Sequence, residues 1–126
     1  MRTPHSQYPE YHTSGDNLDF VKPDSLARSL AHCEAAVDIL ENDRTYQNQS
    51  PFGEPQLGKR GLYRAIGGNA GEKTMEMALL WVLNLSDGTH SLLDIAERSN
   101  VPFETLARAA SALMEHSLLR PAQSTD

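Results

Sequence analysis

Apolar positions fall at helical spacing in two separate stretches of this chain, and the long stretch between them has no period. Leu26, Leu30, Cys33, Val37 and Leu40 recur at steps of four, three, four and three, which puts them on one face. The spacing predicts a helix over 25–43, opened by Pro23 and Asp24, with Asp24 as its N-cap. Arg28, His32, Asp38 and Glu41 lie off the stripe. Such a helix has to pack on something. Residues 1–23 are polar, are punctuated by Pro4, Pro9, Gly15 and Pro23, and offer only a short apolar patch at 18–21, too little to serve alone.

Residues 44–71 contain Pro51, Pro55 and six glycines, which predicts irregular backbone with one short strand at 62–66. A loop of this length is usually functional, or is buttressed by another part of the protein. From residue 72 the pattern changes. Glu72 to Leu85 reads as a helix, and its 77–83 segment is apolar almost all round, as in a central, buried helix. Asp87-Gly88 stops it, and Ser91 with Asp94 is the start signal of a short helix through Ser99. Asn100-Val101-Pro102 is a turn before a helix over 103–115 that faces Leu106, Ala110, Leu113 and Met114 inward. Residues 118–120 read as a strand. Helix, short helix, turn, helix, strand is the layout of a helix-turn-helix with the first strand of a wing, here cut short.

Charge narrows the function classes. The chain carries 11 basic and 17 acidic residues, net −6, opposite in sign to the surface that displaces counterions from phosphates. Nucleic acid and anionic membranes are therefore not expected as partners. The longest apolar run, 77–83, is far short of a membrane span. One cysteine permits neither an internal disulfide nor a thiolate metal cluster. The opening residues do not look like a signal peptide, and a cytoplasmic location is the expectation.

The candidate chemistry centres on Tyr11-His12-Thr13-Ser14-Gly15-Asp16-Asn17. A loop histidine flanked by hydroxyls, with a carboxylate four residues on, suits a zinc ligand. Asp16 is the local candidate for the carboxylate that fixes the tautomer of His12. The same letters also describe a surface histidine with Asp16 and Asn17 as turn formers, and spacing alone favours that plainer reading. Lys59 and Arg60, set among glycines, could hold a substrate carboxylate or phosphate, or could be a solvated basic turn. Cys33, on the first helical stripe, reads as a small core residue, and His5 as a flexible terminal histidine.

Three segments carry a resemblance. The stretches Tyr8-Pro9-Glu10-Tyr11-His12-Thr13-Ser14 and Asp16-Asn17-Leu18-Asp19-Phe20-Val21 resemble the last metal-ligand segment of bacterial zinc aminopeptidase-like proteins. These are co-catalytic di-zinc exopeptidases related to leucyl aminopeptidases and glutaminyl cyclases. Residues 50–63, from Ser50-Pro51-Phe52 to Gly61-Leu62-Tyr63, are similar to the same proteins further along. So are residues 78–88, from Ala78-Leu79-Leu80-Trp81 to Ser86-Asp87-Gly88, which open their C-terminal winged helix.

The resemblance implies a mainly α chain: the C-terminal fragment of an α/β zinc-exopeptidase fold over 1–70, then a small winged helix-turn-helix domain over 71–126. It implies His12 as the final zinc ligand, in a site where two metals roughly 3.5–4 Å apart activate a water. The general base and the other ligands would come from earlier sequence, so zinc is expected only together with residues this chain lacks. No catalytic residue is assigned within it. The implied substrate of a full-length relative is peptide-like or an amino-acid conjugate. The isolated chain is expected to be inactive, and the winged helix could support a homo-oligomer. The alternative reading is a non-catalytic winged-helix interaction or regulatory module. Reading DNA would need exposed Arg, Lys, Asn or Gln early in the 103–115 helix, which begins Phe103-Glu104-Thr105-Leu106-Ala107-Arg108.

Overall fold

The computed structural model describes residues 3–4, 6–63 and 70–122, and by its contacts the chain forms two compact units, Met1–Glu41 and Asn42–Asp126. The sequence reading placed its boundary at 70/71. Residues 45–62 supply both a strand and core side chains to the second unit, which moves the structural division some thirty residues earlier.

The first unit is a run of turns leading into α1 (Pro23–Asn42). Proline is tolerated at a helix start because its missing N–H would be unpaired there anyway. Asp24 is no N-cap. It lies inside the first turn, where its charge faces the positive end of the helix dipole. The predicted stripe exists as a face, but no residue of α1 is buried. Leu26, Leu30, Val37 and Leu40 are between 55% and 73% exposed, and Cys33 is exposed, so its reading as a core residue is corrected.

The second unit begins with β1 (Thr45–Asn48). It continues through α2 (Ala70–Leu85), β2 (Asp87–Ser91), α3 (Leu92–Ser99), α4 (Phe103–Glu115) and β3 (Leu119–Pro121). The three strands form one antiparallel sheet in the order β2-β1-β3, with Gln47 opposite both Asp87 and Arg120. The expected single wing strand thus has a partner, β1, that comes from before the helices. Residues 62 and 63 lie in a turn, and the remainder of the strand expected at 62–66 falls outside the described residues.

The helices follow their local signals. Ser91 and Asp94 form a reciprocal capping box, the Ser91 hydroxyl accepting from the Asp94 N–H and the Asp94 carboxylate from the Ser91 N–H. Asn100 takes a left-handed conformation at the end of α3, as asparagine readily does, and α4 starts after Pro102. Leu106, Ala109, Ala110 and Leu113 are buried on α4, against Ala78, Leu79, Val82 and Leu83 of α2 in one core. α2 is buried on one face only, because Met77 and Leu80 remain exposed, so the expectation of a fully enclosed helix is corrected.

The proline- and glycine-rich loop is part of this core. Leu57 is fully buried and Leu62 nearly so, on a tight turn in which the N–H of Leu62 donates to the Leu57 carbonyl at 3.1 Å. Leu57→Ala should therefore destabilise the second unit by about 2–4 kcal/mol, the cost of an unfilled core position. Leu30→Ala on the exposed stripe should change stability by less than about 0.5 kcal/mol. Urea unfolding of the two variants checks this, and equal midpoints would contradict the placement of Leu57.

Candidate functional site

The His12 loop is built from successive turns and one aromatic cluster. N–H groups of Tyr11, Thr13 and Asp16 donate to the carbonyls three residues back, Tyr8, Glu10 and Thr13, at 3.0–3.2 Å. The Thr13 hydroxyl donates to the Glu10 carbonyl and accepts from the Gly15 N–H, and Asn17 Oδ1 accepts from the Asp19 N–H. Tyr8 stacks on Phe20 with centroids 5.5 Å apart and meets Tyr11 edge-on at 5.6 Å. Tyr11 in turn stacks on the His12 ring at 4.1 Å. Burial of Tyr8 in this cluster, followed by the Asp16 charge, pushes its phenol pKa up.

His12 itself is exposed, with φ at 57°, a left-handed conformation that non-glycine residues adopt at a cost. The turn and the stack on Tyr11 set where the imidazole lies on the surface of this unit. The structure does not join it to Asp16. Among the described residues no hydrogen bond links that ring to the Asp16 carboxylate, and no group of three or more His, Cys, Asp or Glu could hold a metal. The donors present fit a single contributed ligand and do not make a zinc site by themselves.

Arg60 has a structural task. Its guanidinium donates to the carbonyls of Pro55 at 3.0 Å and His116 at 3.4 Å, tying the loop to the end of α4. Lys59 and Arg60 line an open depression with Glu54, Pro55 and Gln56, away from the His12 loop in sequence and in a different unit.

One polar cluster was read from the sequence only as a helix stop. Asp87 Oδ1 accepts from the Thr89 hydroxyl at 2.7 Å and from the N–H groups of Thr89 and His90, while Oδ2 pairs with His90 Nδ1 at 2.9 Å. Partial burial alone would raise the Asp87 pKa, but the hydrogen bonds from Thr89 and His90 outweigh it and hold the carboxyl well below the usual carboxylate range. Gly88 follows, within β2, at φ 89°, a left-handed conformation that favours glycine, and a Cβ there would also meet Gln47 Oε1 at 2.7 Å. The signal for the cluster was legible as Asp-Gly-Thr-His, a side chain bonding its own backbone two residues on.

The second unit matches the family model for a winged helix-turn-helix over residues 44–121, more than half of the chain, and the chain belongs to that family. Residues 1–43 match a domain of unknown function, DUF4910. Over 110 residues, 87% of its length, the chain is 49% identical to a Clostridium acetobutylicum protein described as a candidate polysaccharide biosynthesis protein with an aminopeptidase-like domain. A crystal structure of a candidate peptidase from Clostridium acetobutylicum superposes over 90% of this chain, with a TM-score of 0.78 and 43% identity. The chain spans about a quarter of the length of each, 25% and 24%. Among the described residues, no helix is long and apolar enough to cross a membrane.

Because the Asp87 pKa is lowered on folding, its stabilisation is present above the unfolded value near pH 4 and is lost as pH falls through the folded value. Its side chain is 47% exposed, so solvent screening limits the effect. Asp87→Asn should cost about 0.5–1 kcal/mol at pH 7. That difference should shrink steadily below pH ~4 in chemical unfolding curves, and a constant difference down to pH ~2 would contradict the assignment.

Proposed function

We propose that this chain is part of a zinc-dependent aminopeptidase-like hydrolase of α/β exopeptidase fold, to which it contributes one zinc ligand, His12, and an accessory winged helix. The supporting observation is the 49% identity, over 87% of this chain, to a protein with an aminopeptidase-like domain. The strained, stacked placement of His12 agrees with it, since such conformations concentrate at functional sites. Zinc, when bound, polarises a carbonyl and lowers the pKa of a water. The chain's own part is to present one imidazole on a rigid turn and to keep it in place. Asp16, four residues on, is the carboxylate proposed to orient that ring. The substrate proposed for the whole protein is peptide-like or an amino-acid conjugate.

Alone, the chain should retain only substoichiometric zinc after dialysis and hydrolyse no aminoacyl substrate. Joined to the segment of the Clostridium relative that it does not span, it should restore zinc content, and His12→Ala should lower it. Metal analysis of the two fusions decides the matter: unchanged zinc in the variant removes His12 from the ligand set.

The winged helix serves this reading as a packing or protein-contact module. The exposed positions of α4 include Glu104, Arg108, Ser111 and Glu115, a face with net charge −1. Such a face lacks the cations that phosphates demand. Fluorescence anisotropy should find no DNA binding at micromolar chain in either low or moderate salt. Tight, salt-sensitive binding to one duplex sequence would favour a regulatory protein instead.

A further inference from the structure

α1 carries an apolar face that the described residues of its own unit do not bury. It is 20 residues long, its apolar positions form a regular stripe, and none of its residues is buried. Leu26, Leu30, Val37 and Leu40 each keep more than half of their surface in contact with solvent, and Cys33 lies exposed in the middle of the stripe. Scattered exposed leucines need no explanation, but a contiguous row at helical spacing marks a contact surface. In proteins most helical stability comes from packing an amphipathic face rather than from propensity.

Two observations bear on what could cover it. The match to the relative at 49% identity spans 87% of this chain, yet accounts for only 25% of the relative, so three-quarters of that polypeptide lies outside the match. Further, α1 belongs to the same compact unit as the His12 loop, Met1–Glu41. If His12 completes a site whose other donors lie elsewhere, the body carrying them must come up against this unit. A second copy of the chain would cover the stripe without supplying those donors.

We propose that the Leu26–Leu30–Cys33–Val37–Leu40 face of α1 docks on an apolar surface of the aminopeptidase-like remainder of the longer polypeptide, and so seats the His12 loop at its site. This rests on the reading of the chain as part of such a hydrolase.

Cys33 is the chain's single cysteine and a native reporter of the stripe. The experiment compares thiol labelling by a maleimide in the chain alone and in the fusion to the relative's unmatched segment, with that segment's own cysteines replaced by serine. Zinc content is read on the same fusion. In the isolated chain Cys33 should react at the rate of a free exposed thiol, and in the fusion at least tenfold more slowly. Leu30→Asp with Val37→Asp in the fusion should restore fast labelling. Equal rates in chain and fusion, with zinc present, overturn the docking and leave the hydrolase reading standing. Slow labelling in the fusion without zinc overturns the ligand assignment and leaves the docking. Slow labelling in the isolated chain, accompanied by dimers in sedimentation velocity, assigns the stripe to a second copy and overturns the proposal.

Discussion

The second unit depends on a four-residue polar strand being held between two others. β1 is the middle of the sheet, and β2 and β3 are both bonded to it. Its backbone reaches further than its own ladder. The Asn48 N–H donates to the Ser86 carbonyl at 2.7 Å, and the Asn48 side chain donates to the Leu83 carbonyl at 2.8 Å. Leu92 N–H donates to the Arg44 carbonyl and Ala122 N–H to that of Thr45. One strand thus satisfies carbonyls at the end of α2, where a helix leaves them unpaired, and joins the start of α3 to the chain's last strand. The apolar contact between α2 and α4 supplies most of the burial, while β1 fixes how the surrounding elements are connected.

The first unit follows a different rule. It has aromatic contacts and turns but, among the described residues, no buried side chain, and its helix shows an apolar face to solvent. Its order comes from short-range bonds: Thr13 to Glu10, Asn17 to Asp19, and the ring series Phe20, Tyr8, Tyr11, His12. That is enough to place one imidazole and too little to build a metal cage.

Much of the helical part was legible because its signals are local. The 103–115 helix, the Ser91–Asp94 cap and the Asn100 turn depend on residues a few positions apart, and the structure has them where the letters put them. Two strands were missed for a common reason. Thr45-Tyr46-Gln47-Asn48 and Asp87-Gly88-Thr89-His90-Ser91 have no apolar alternation, and each is a strand only because a distant segment pairs with it. Leu57 looked like one letter in a loop, and its burial arises from a turn that folds it back under the helices. Arg60 could be read as a substrate cation or as part of a solvated basic turn, and its hydrogen bonds to the carbonyls of Pro55 and of His116, 56 residues away, show only in the folded chain.

By itself the sequence determined the helix spacings, the start and stop signals of α3 and the bounds of α4, the acidic character of the chain, and the turn chemistry around His12, since each arises between residues close along the backbone or from composition. Only the tertiary structure decided the strand order, the burial of the proline-rich loop, the exposure of the α1 stripe and the lack of a bond between His12 and Asp16. Those depend on which distant groups meet, and chain distance places no bound on that.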